Sequence, residues 1–335
     1  MKEAMFQTAK EESKVQCGLC RHTCIIAPGH RGICGVRENR GGTLYSLVYD
    51  KVIARNIDPI EKKPLFHFMP GSRSYSIATA GCNFRCQHCQ NADISQLPRD
   101  RDGMIVGEGV TPRAIVDAAI KSRCASISYT YTEPTVYFEL AYDTARLAAE
   151  AGLKNVFVTN GYTSAEALTT IKPYLHAANI DLKGFTDDFY KTICGARLQP
   201  VLDAITLYKE LGIWIEITTL VIPGHNDSEK ELAAIARFIR SLGEDVPWHV
   251  SRFHPTYKLI SEPRTPLETL KRARQIGLEA GLRYVYEGNV SGEGEDTICW
   301  NCNKTVIERV GFALEKNNIE AGKCGYCGAA IAGVW

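Results

Sequence analysis

Most of the 13 cysteines in this chain fall into three tight groups, and their total number is odd. The groups are Cys17, Cys20, Cys24 and Cys34; Cys82, Cys86 and Cys89; and Cys299, Cys302, Cys324 and Cys327. Where thiols stay reduced, cysteines at such close spacing are typical of metal sites rather than of disulfides. Cys124 and Cys194 stand alone, and we interpret both as structural residues.

The middle group has the spacing Cys-x3-Cys-x2-Cys and directly follows a short strand pattern. Three thiolates on one loop can hold three irons of a 4Fe–4S cluster, and the fourth iron then has no protein ligand. Such an open metal position is where chemistry can take place. The alternative is a zinc ion with His88 as its fourth ligand. Because His88 is adjacent to Cys89, ligation by both would be strained, and the redox cluster is favoured.

The elements that must position this loop follow a regular alternation from residue 75 onward. The strand candidates span 75–80, 125–130, 155–159, 177–182, 213–221, 248–253 and 283–286. Between them lie amphipathic helical patterns with N-cap signals at Thr111, Thr163, Ser228 and Thr265, and with Gly152, Gly212 and Gly281 at their ends. Strand–helix alternation implies parallel strands joined by right-handed crossovers. We therefore predict an α/β fold, a partial-to-full (β/α) TIM-like barrel.

The barrel is predicted to carry small Cys-rich metal-binding appendages at both ends. Residues 1–40 form the first appendage and 41–72 a connector, in which 43–49 and 52–57 are expected to pair as a hairpin. The barrel itself spans 73–290, and 291–335 form a zinc-ribbon-like tail.

The Cys82, Cys86 and Cys89 loop after the first barrel strand resembles the signature of the radical S-adenosylmethionine (SAM) superfamily. The resemblance implies that SAM binds the open iron of a 4Fe–4S cluster. An electron from the reduced cluster then cleaves SAM to a 5′-deoxyadenosyl radical, which abstracts hydrogen from the substrate. A ferredoxin or flavodoxin would supply the electron.

The same resemblance implies which polar residues at the predicted strand ends bind SAM. Glu133, in Thr132-Glu133-Pro134, stands where the superfamily has a Gly-Gly-Glu-Pro motif that receives the SAM ammonium group. The further SAM-binding candidates are Asn160, Asp181, Lys183 and His254, with Lys183 facing the SAM carboxylate and His254 the ribose. The preceding polar residues Glu61, Lys62 and His67 are expected to face the substrate.

Two narrower resemblances cover more of the chain. Residues 60–290 resemble the activating enzymes of pyruvate formate-lyase, although Val158 stands where those activases have an aspartate that helps to bind a cation. The whole chain resembles AmmeMemoRadiSam-type proteins, through Cys17-Gly-Leu-Cys20, Glu61-Lys-Lys-Pro64 and Tyr284-Val-Tyr-Glu-Gly-Asn289. That resemblance implies association with AMMECR1-type and Memo-type proteins and leaves the substrate, which could be a protein, unidentified.

The outer cysteine groups have different spacings. Cys299, Cys302, Cys324 and Cys327 form two Cys-x2-Cys knuckles, which favour a structural zinc site, with a rubredoxin-like iron or an auxiliary Fe–S cluster as the alternative. Cys17, Cys20, Cys24 and Cys34 could hold zinc or a second 4Fe–4S cluster. Their irregular spacing slightly favours zinc.

Composition limits the remaining alternatives. The net charge of +1, from 39 basic and 38 acidic residues, gives no electrostatic footprint for DNA or an anionic membrane. The N-terminus lacks the apolar core of a signal peptide and no apolar run could span a bilayer, so we expect a cytoplasmic protein. The alternatives to a radical SAM enzyme of unidentified substrate are a glycyl-radical-enzyme activase, and a non-catalytic binding module stabilised by zinc in all three groups.

Overall fold

The computed structural model describes residues 1–290 and 292–335, so Ser291, with which the predicted tail begins, lies outside the described residues. The strands are β1 (Lys2–Glu3), β2 (Gln7–Ala9), β3 (Val15–Cys17), β4 (Ile25–Ile26), β5 (Arg37–Arg40), β6 (Thr43–Ser46), β7 (Lys51–Pro59), β8 (Arg73–Thr79), β9 (Glu108–Gly109), β10 (Ser126–Tyr129), β11 (Lys154–Thr159), β12 (Ala177–Asp181), β13 (Trp214–Val221), β14 (Trp248–Arg252), β15 (Val285–Gly288), β16 (Thr297–Ile298), β17 (Thr305–Val310), β18 (Ala313–Asn317), β19 (Ile319–Glu320) and β20 (Lys323–Cys324). The α-helices are α1 (Ala92–Ser95), α2 (Leu97–Asp100), α3 (Pro112–Lys121), α4 (Phe138–Glu150), α5 (Ala165–Ile171), α6 (Asp187–Phe189), α7 (Leu198–Glu210), α8 (Glu229–Leu242) and α9 (Leu267–Glu279).

A parallel sheet of seven strands forms the barrel, which confirms the predicted α/β fold. The strands are adjacent in the order β8, β10, β11, β12, β13, β14 and β15, and every neighbouring pair is parallel. Helices α3, α4, α5, α7, α8 and α9 connect successive strands. In the described residues β15 pairs with β14 alone, so this sheet is an open, partial barrel. The carboxyl ends of all seven strands therefore meet at one rim.

The helix starts agree with the predicted caps at two positions and differ at two. Thr111 and Ser228 accept hydrogen bonds from backbone N–H groups in the first turns of α3 and α8, as predicted. Ser164, rather than Thr163, caps α5. Thr265 caps no helix; its hydroxyl accepts the N–H of Phe253 and donates to the carbonyl of Val221. Thr265 thus ties the ends of β13 and β14 together, because both strand ends leave backbone groups that need partners.

The predicted hairpin at 43–57 is wrong, although both of its strands exist. β6 pairs with β1 and β5, whereas β7 runs antiparallel to β8 and extends the barrel sheet. The reason lies in β8, whose outer edge would otherwise expose a row of unpaired backbone groups. β7 covers this edge along most of its nine residues, and the short β9 pairs with β7 in turn.

The two appendages dock at different places on the barrel. The N-terminal appendage folds as two three-stranded sheets, β1-β6-β5 and β2-β3-β4. Its buried Arg37 forms an ion pair with Glu139 of α4 at 3.0 Å. The C-terminal tail packs its core residues Val306 and Ile331 with Phe66 and Tyr286 of the barrel region. No helix in residues 1–290 or 292–335 is long and apolar enough to cross a membrane.

Candidate active site

The loop that carries Cys82, Cys86 and Cys89 follows β8 at the carboxyl-end rim. It begins at Gly81, whose φ of +99° lies in the left-handed region, and a Cβ there would come within 2.6 Å of Val36. Only glycine fits this combination of backbone conformation and close approach. The loop is therefore pressed against the N-terminal appendage.

The segment Tyr190–Cys194 fixes the other side of the loop. The N–H of Arg85 donates to the carbonyl of Cys194 at 2.7 Å, and the N–H of Gln87 donates to the carbonyl of Ile193 at 3.0 Å. Cys194 is fully buried, and its thiol lies beside that of Cys86. Cys124 is buried as well, in agreement with its interpretation as a structural residue.

The three thiols line a cavity of about 480 Å³, which is within the size range of small-molecule sites. Six further strands of the parallel sheet contribute to its wall. These contributions are Thr130, Tyr131, Thr132 and Glu133 after β10; Val158, Thr159 and Asn160 at the end of β11; Asn179 and Asp181 from β12 and Lys183 just after it; Thr218 and Leu220 from β13; Ser251 from β14; and Asn289 after β15. Loop and strand ends thus enclose one site.

Glu133 is held by four hydrogen bonds in this wall. Its carboxylate accepts the N–H and the hydroxyl of Thr135 at 3.0 and 2.6 Å, the hydroxyl of Thr159 at 2.8 Å and the N–H of Asn160 at 2.8 Å. Burial raises the pKa of the Glu133 carboxyl, and these donors partly offset that effect. Glu133 therefore joins the ends of β10 and β11 and shapes the cavity beside the cysteine loop.

Asn160 connects β11 to the cysteine loop. Its side-chain N–H donates to Oδ1 of Asn83 at 2.8 Å and lies 3.8 Å from Sγ of Cys82. Its Oδ1 accepts the N–H of Tyr162 at 2.9 Å. An N–H group directed at a ligating sulfur stabilises negative charge there, so Asn160 can tune a cluster bound by Cys82.

Asp181 and Lys183 form an ion pair in the cavity wall, with Nζ of Lys183 at 2.8 Å from the carboxylate. Burial alone would lower the pKa of Lys183, but Asp181 and the thiols of Cys86 and Cys194 hold it well above its ordinary value. Lys183 is therefore a fixed positive charge near the cysteine loop. A carboxylate ligand would find a charge-assisted partner there.

His88 is a feature of the wall that sequence reasoning considered only as a zinc ligand. Its side chain is buried, and neither ring nitrogen has a hydrogen-bond partner among the described residues. Burial, with the nearby charge of Lys183, lowers the pKa of His88 to about 3, so the ring is neutral. A buried neutral imidazole with two free nitrogens needs a partner, which a ligand in the cavity can provide.

Lys63 also lines the cavity and was not predicted. Its ammonium group lies 2.7 Å from Asp58, whose carboxylate also accepts the hydroxyl of Tyr131. Burial lowers the pKa of Lys63 to about 8, although Asp58 opposes that shift. No spacing rule in the sequence points to Lys63, because the 3-10 turn after β7 (Ile60–Lys62) brings it into the cavity from outside the barrel repeat.

The remaining predicted site residues lie at different distances from the cavity. Lys62 lines it, as expected for a residue that faces the substrate. His254 follows β14 but does not line the cavity, whereas Ser251 of β14 does. Glu61 and His67, which were expected to face the substrate, are both buried, and neither lines this cavity. His67 instead bridges the barrel and the tail, with Nε2 at 2.5 Å from the Tyr286 hydroxyl and Nδ1 at 2.7 Å from the Ala332 carbonyl.

The three cysteine groups differ in how closely their sulfurs approach. Among residues 1–290 and 292–335, only Cys299, Cys302, Cys324 and Cys327 bring their Sγ atoms within 4.8 Å of one another. The Cys299–Cys327 and Cys302–Cys324 pairs are 3.7 and 3.8 Å apart. Four sulfurs at about 2.3 Å from a tetrahedral zinc ion are roughly 3.8 Å apart, so the tail has the dimensions of a zinc site.

Known proteins provide an independent comparison. Residues 76–236 match the model of the Radical SAM superfamily. An uncharacterized protein of Methanocaldococcus jannaschii is 50% identical over 335 residues, which is 99% of each chain. The pyruvate formate-lyase-activating enzyme of Clostridium pasteurianum is 21% identical over 225 residues, or 65% of this chain and 93% of that enzyme. The crystal structure of Streptococcus suis SuiB bound to S-adenosylmethionine has a TM-score of 0.52 at 15% identity, covers 69% of this chain and 53% of SuiB, and shows the shared fold.

Proposed function

Because the chain belongs to the radical SAM superfamily, we propose that it is a SAM-cleaving enzyme whose 4Fe–4S cluster is bound by Cys82, Cys86 and Cys89. The observation that carries the proposal is the position of these thiols in the wall of one cavity with six strand ends. Their sulfurs are not within 4.8 Å of one another, which suits thiolates that bind different irons of a cubane. A reduced cluster held by these three thiolates would supply the electron for cleavage of SAM, and so a 5′-deoxyadenosyl radical that could abstract hydrogen from the substrate.

The residues of the wall have separate roles in this proposal. Lys183, held by Asp181, pairs with the carboxylate of SAM, and Glu133 with the preceding backbone carbonyls receives its ammonium group. His88 offers its two unpartnered nitrogens to SAM or to the substrate. Asn160 positions the loop through Asn83. His254 stays a candidate for the ribose contact.

The test is SAM cleavage by anaerobically reconstituted protein. The Cys82→Ala/Cys86→Ala/Cys89→Ala variant should lose about four irons and all formation of 5′-deoxyadenosine with dithionite as reductant. Cys124→Ala is the matched control, because it removes a buried thiol outside the cavity and should keep both properties. Cleavage that persists in the triple variant would refute the proposal.

The substrate is the least defined part of the function. We propose that the chain is an AmmeMemoRadiSam-type enzyme that acts with AMMECR1-type and Memo-type proteins and takes its electron from a ferredoxin or flavodoxin. The support for this is the resemblance of motifs along the whole chain, from Cys17 to Asn289. Release of 5′-deoxyadenosine that rises on addition of either purified partner would support the association. Equal release with and without them would count against it.

A glycyl-radical activase is the second candidate, favoured by the similarity to the Clostridium pasteurianum enzyme. Val158, in the cavity wall, opposes it, because activases have a cation-binding aspartate there. The two candidates separate by electron paramagnetic resonance (EPR). A glycyl-radical doublet in a pyruvate formate-lyase incubated with the reduced protein and SAM would favour the activase, and its absence would favour the first candidate.

We also propose that Cys299, Cys302, Cys324 and Cys327 bind structural zinc. The 3.7 and 3.8 Å sulfur distances support this, since they match the edge of a tetrahedral zinc–thiolate site. Elemental analysis should then find about one zinc per chain that survives removal of the central three cysteines.

A further inference from the structure

Cys17, Cys20, Cys24 and Cys34 surround a cavity of their own between the N-terminal appendage and the barrel. Sequence spacing slightly favoured zinc for these residues. The structure gives three observations on their surroundings, namely the separation of the sulfurs, the unpartnered N–H groups at the cavity and the nature of its wall. Together they favour a different occupant.

The separation of the sulfurs is too wide for zinc. Within the described residues, no three of these four Sγ atoms lie within 4.8 Å of one another, unlike those of the tail. Four sulfurs bound at about 2.3 Å to one zinc ion would lie roughly 3.8 Å apart, closer than these thiols stand. In a 4Fe–4S cubane each thiolate binds a different iron, and the sulfurs are roughly 6 Å apart.

Two buried N–H groups at this cavity have no acceptor. Nε of Arg37 and Nδ2 of Asn83 lack hydrogen-bond partners in the described structure, and both side chains line the cavity. Each of these residues is about 1% exposed. A buried donor without an acceptor is costly. The inorganic sulfides of a cluster would add acceptors for both N–H groups, beyond those that the cysteine thiolates offer.

The rest of the wall suits a cluster that must be kept from water. Leu19, Ile26 and Val136 cover the cavity between the cysteines, and all three are buried. Low solvent exposure is one of the factors that set the potential of iron–sulfur clusters.

We propose that Cys17, Cys20, Cys24 and Cys34 bind a second 4Fe–4S cluster with a cysteine on every iron. This cluster has no open position and therefore does not bind SAM. Asn83 separates it from the SAM-cleaving site, since Asn83 lines this cavity and accepts a hydrogen bond from Asn160 of the other one. The assignment does not depend on the chemistry proposed for the central loop.

The test compares metal content and EPR spectra in two variants. Wild-type protein should hold about eight irons, and the Cys82→Ala/Cys86→Ala/Cys89→Ala variant about four. The dithionite-reduced triple variant should give a cluster signal that SAM leaves unchanged. The Cys20→Ala/Cys24→Ala variant should keep about four irons and a signal that SAM alters.

The triple variant decides the question even if the N-terminal variant misfolds, because it leaves the N-terminal cysteines intact. No iron in it, or two zinc ions per chain, would overturn the proposal. Failure of the proposed function looks different: wild-type protein would then lack a SAM-sensitive signal while the triple variant still retained its irons.

Discussion

The N-terminal and C-terminal cysteine groups have the same four thiols but differ in geometry. In the tail, two Cys-x2-Cys knuckles face each other with sulfurs 3.7 and 3.8 Å apart. In the N-terminal appendage, four irregularly spaced cysteines surround a cavity, with two unpartnered N–H groups at its wall. The comparison teaches that ligand number does not identify the metal, because the separation imposed by the fold decides which metal centre fits.

The largest expected effect concerns the tail. Cys302→Ala/Cys324→Ala should abolish zinc binding and unfold the tail, because its core consists of few residues, among them Val306 and Ile331, packed on Tyr286. Binding energies of structural zinc are of the order of 10 kcal/mol, so little of the tail's fold should survive. Limited proteolysis checks this, with release of a fragment near residue 299 in the variant. Iron content should stay at the wild-type value.

The same variant tests whether the two cysteine groups bind different metal centres. If it loses iron instead of zinc, the tail carries a cluster and the distance argument fails for both appendages. Cys124→Ala serves as the control, since it removes a lone buried thiol and should leave both metals and the proteolysis pattern unchanged.

Lys183→Met should have the next largest effect and should act only at the central site. A charge-assisted hydrogen bond contributes about 1.5–3 kcal/mol, so the variant should bind SAM roughly 10- to 100-fold more weakly. Asp181→Asn is the matched variant, because it keeps the ammonium group and removes only the carboxylate that holds it. Titration of the SAM-dependent EPR change measures both. An unchanged affinity in Lys183→Met would exclude the proposed carboxylate contact.

Asn160→Asp should sharpen the comparison between the two clusters. The change removes an N–H group 3.8 Å from Sγ of Cys82 and places a carboxylate there. A hydrogen bond of about 1 kcal/mol corresponds to roughly 40 mV for one electron, and the central potential should fall by at least that amount. Redox titration followed by EPR should show a much smaller shift for the N-terminal cluster. Equal shifts of both signals would contradict the assignment of two separate sites.

The barrel could be predicted because its strands and helices are indicated by residues close together in the sequence. Apolar runs, caps and glycines at helix ends indicated the strands that precede Glu133, Asn160 and Lys183, and the structure brings these residues to one cavity with the cysteine loop. Lys63 was missed because it reaches the cavity from the segment after β7, which obeys no barrel periodicity. His88 was considered only as a metal ligand, since its unpartnered nitrogens are a property of the packed site.

The connections between the appendages and the barrel could not be predicted for the same reason. The strand at 52–57 pairs with β8 because that edge needs a partner, which a local hairpin rule does not consider. His67 was expected to face the substrate, yet it is buried between Tyr286 and Ala332. Long-range pairings of this kind depend on residues more than 200 positions apart in the chain.

The smallest expected effect is a pH dependence at this junction of tail and barrel. Burial lowers the pKa of His67 from 6.5 to about 4. As the pH falls from 6.5 toward 4, the unfolded chain takes up a proton that folded His67 resists, so this contribution to stability is present above pH 6.5 and lost below it. When the pH is lowered from 7.5 to 5.5, the free energy of unfolding of the wild-type protein should fall by about 1 kcal/mol more than that of His67→Gln. Thermal unfolding at the two pH values measures this effect. The difference between the midpoints of the wild type and His67→Gln should be roughly 2 °C smaller at pH 5.5 than at pH 7.5. A gap that stays constant would mean that His67 is charged in the folded protein, and that the Tyr286 hydroxyl does not donate to Nε2.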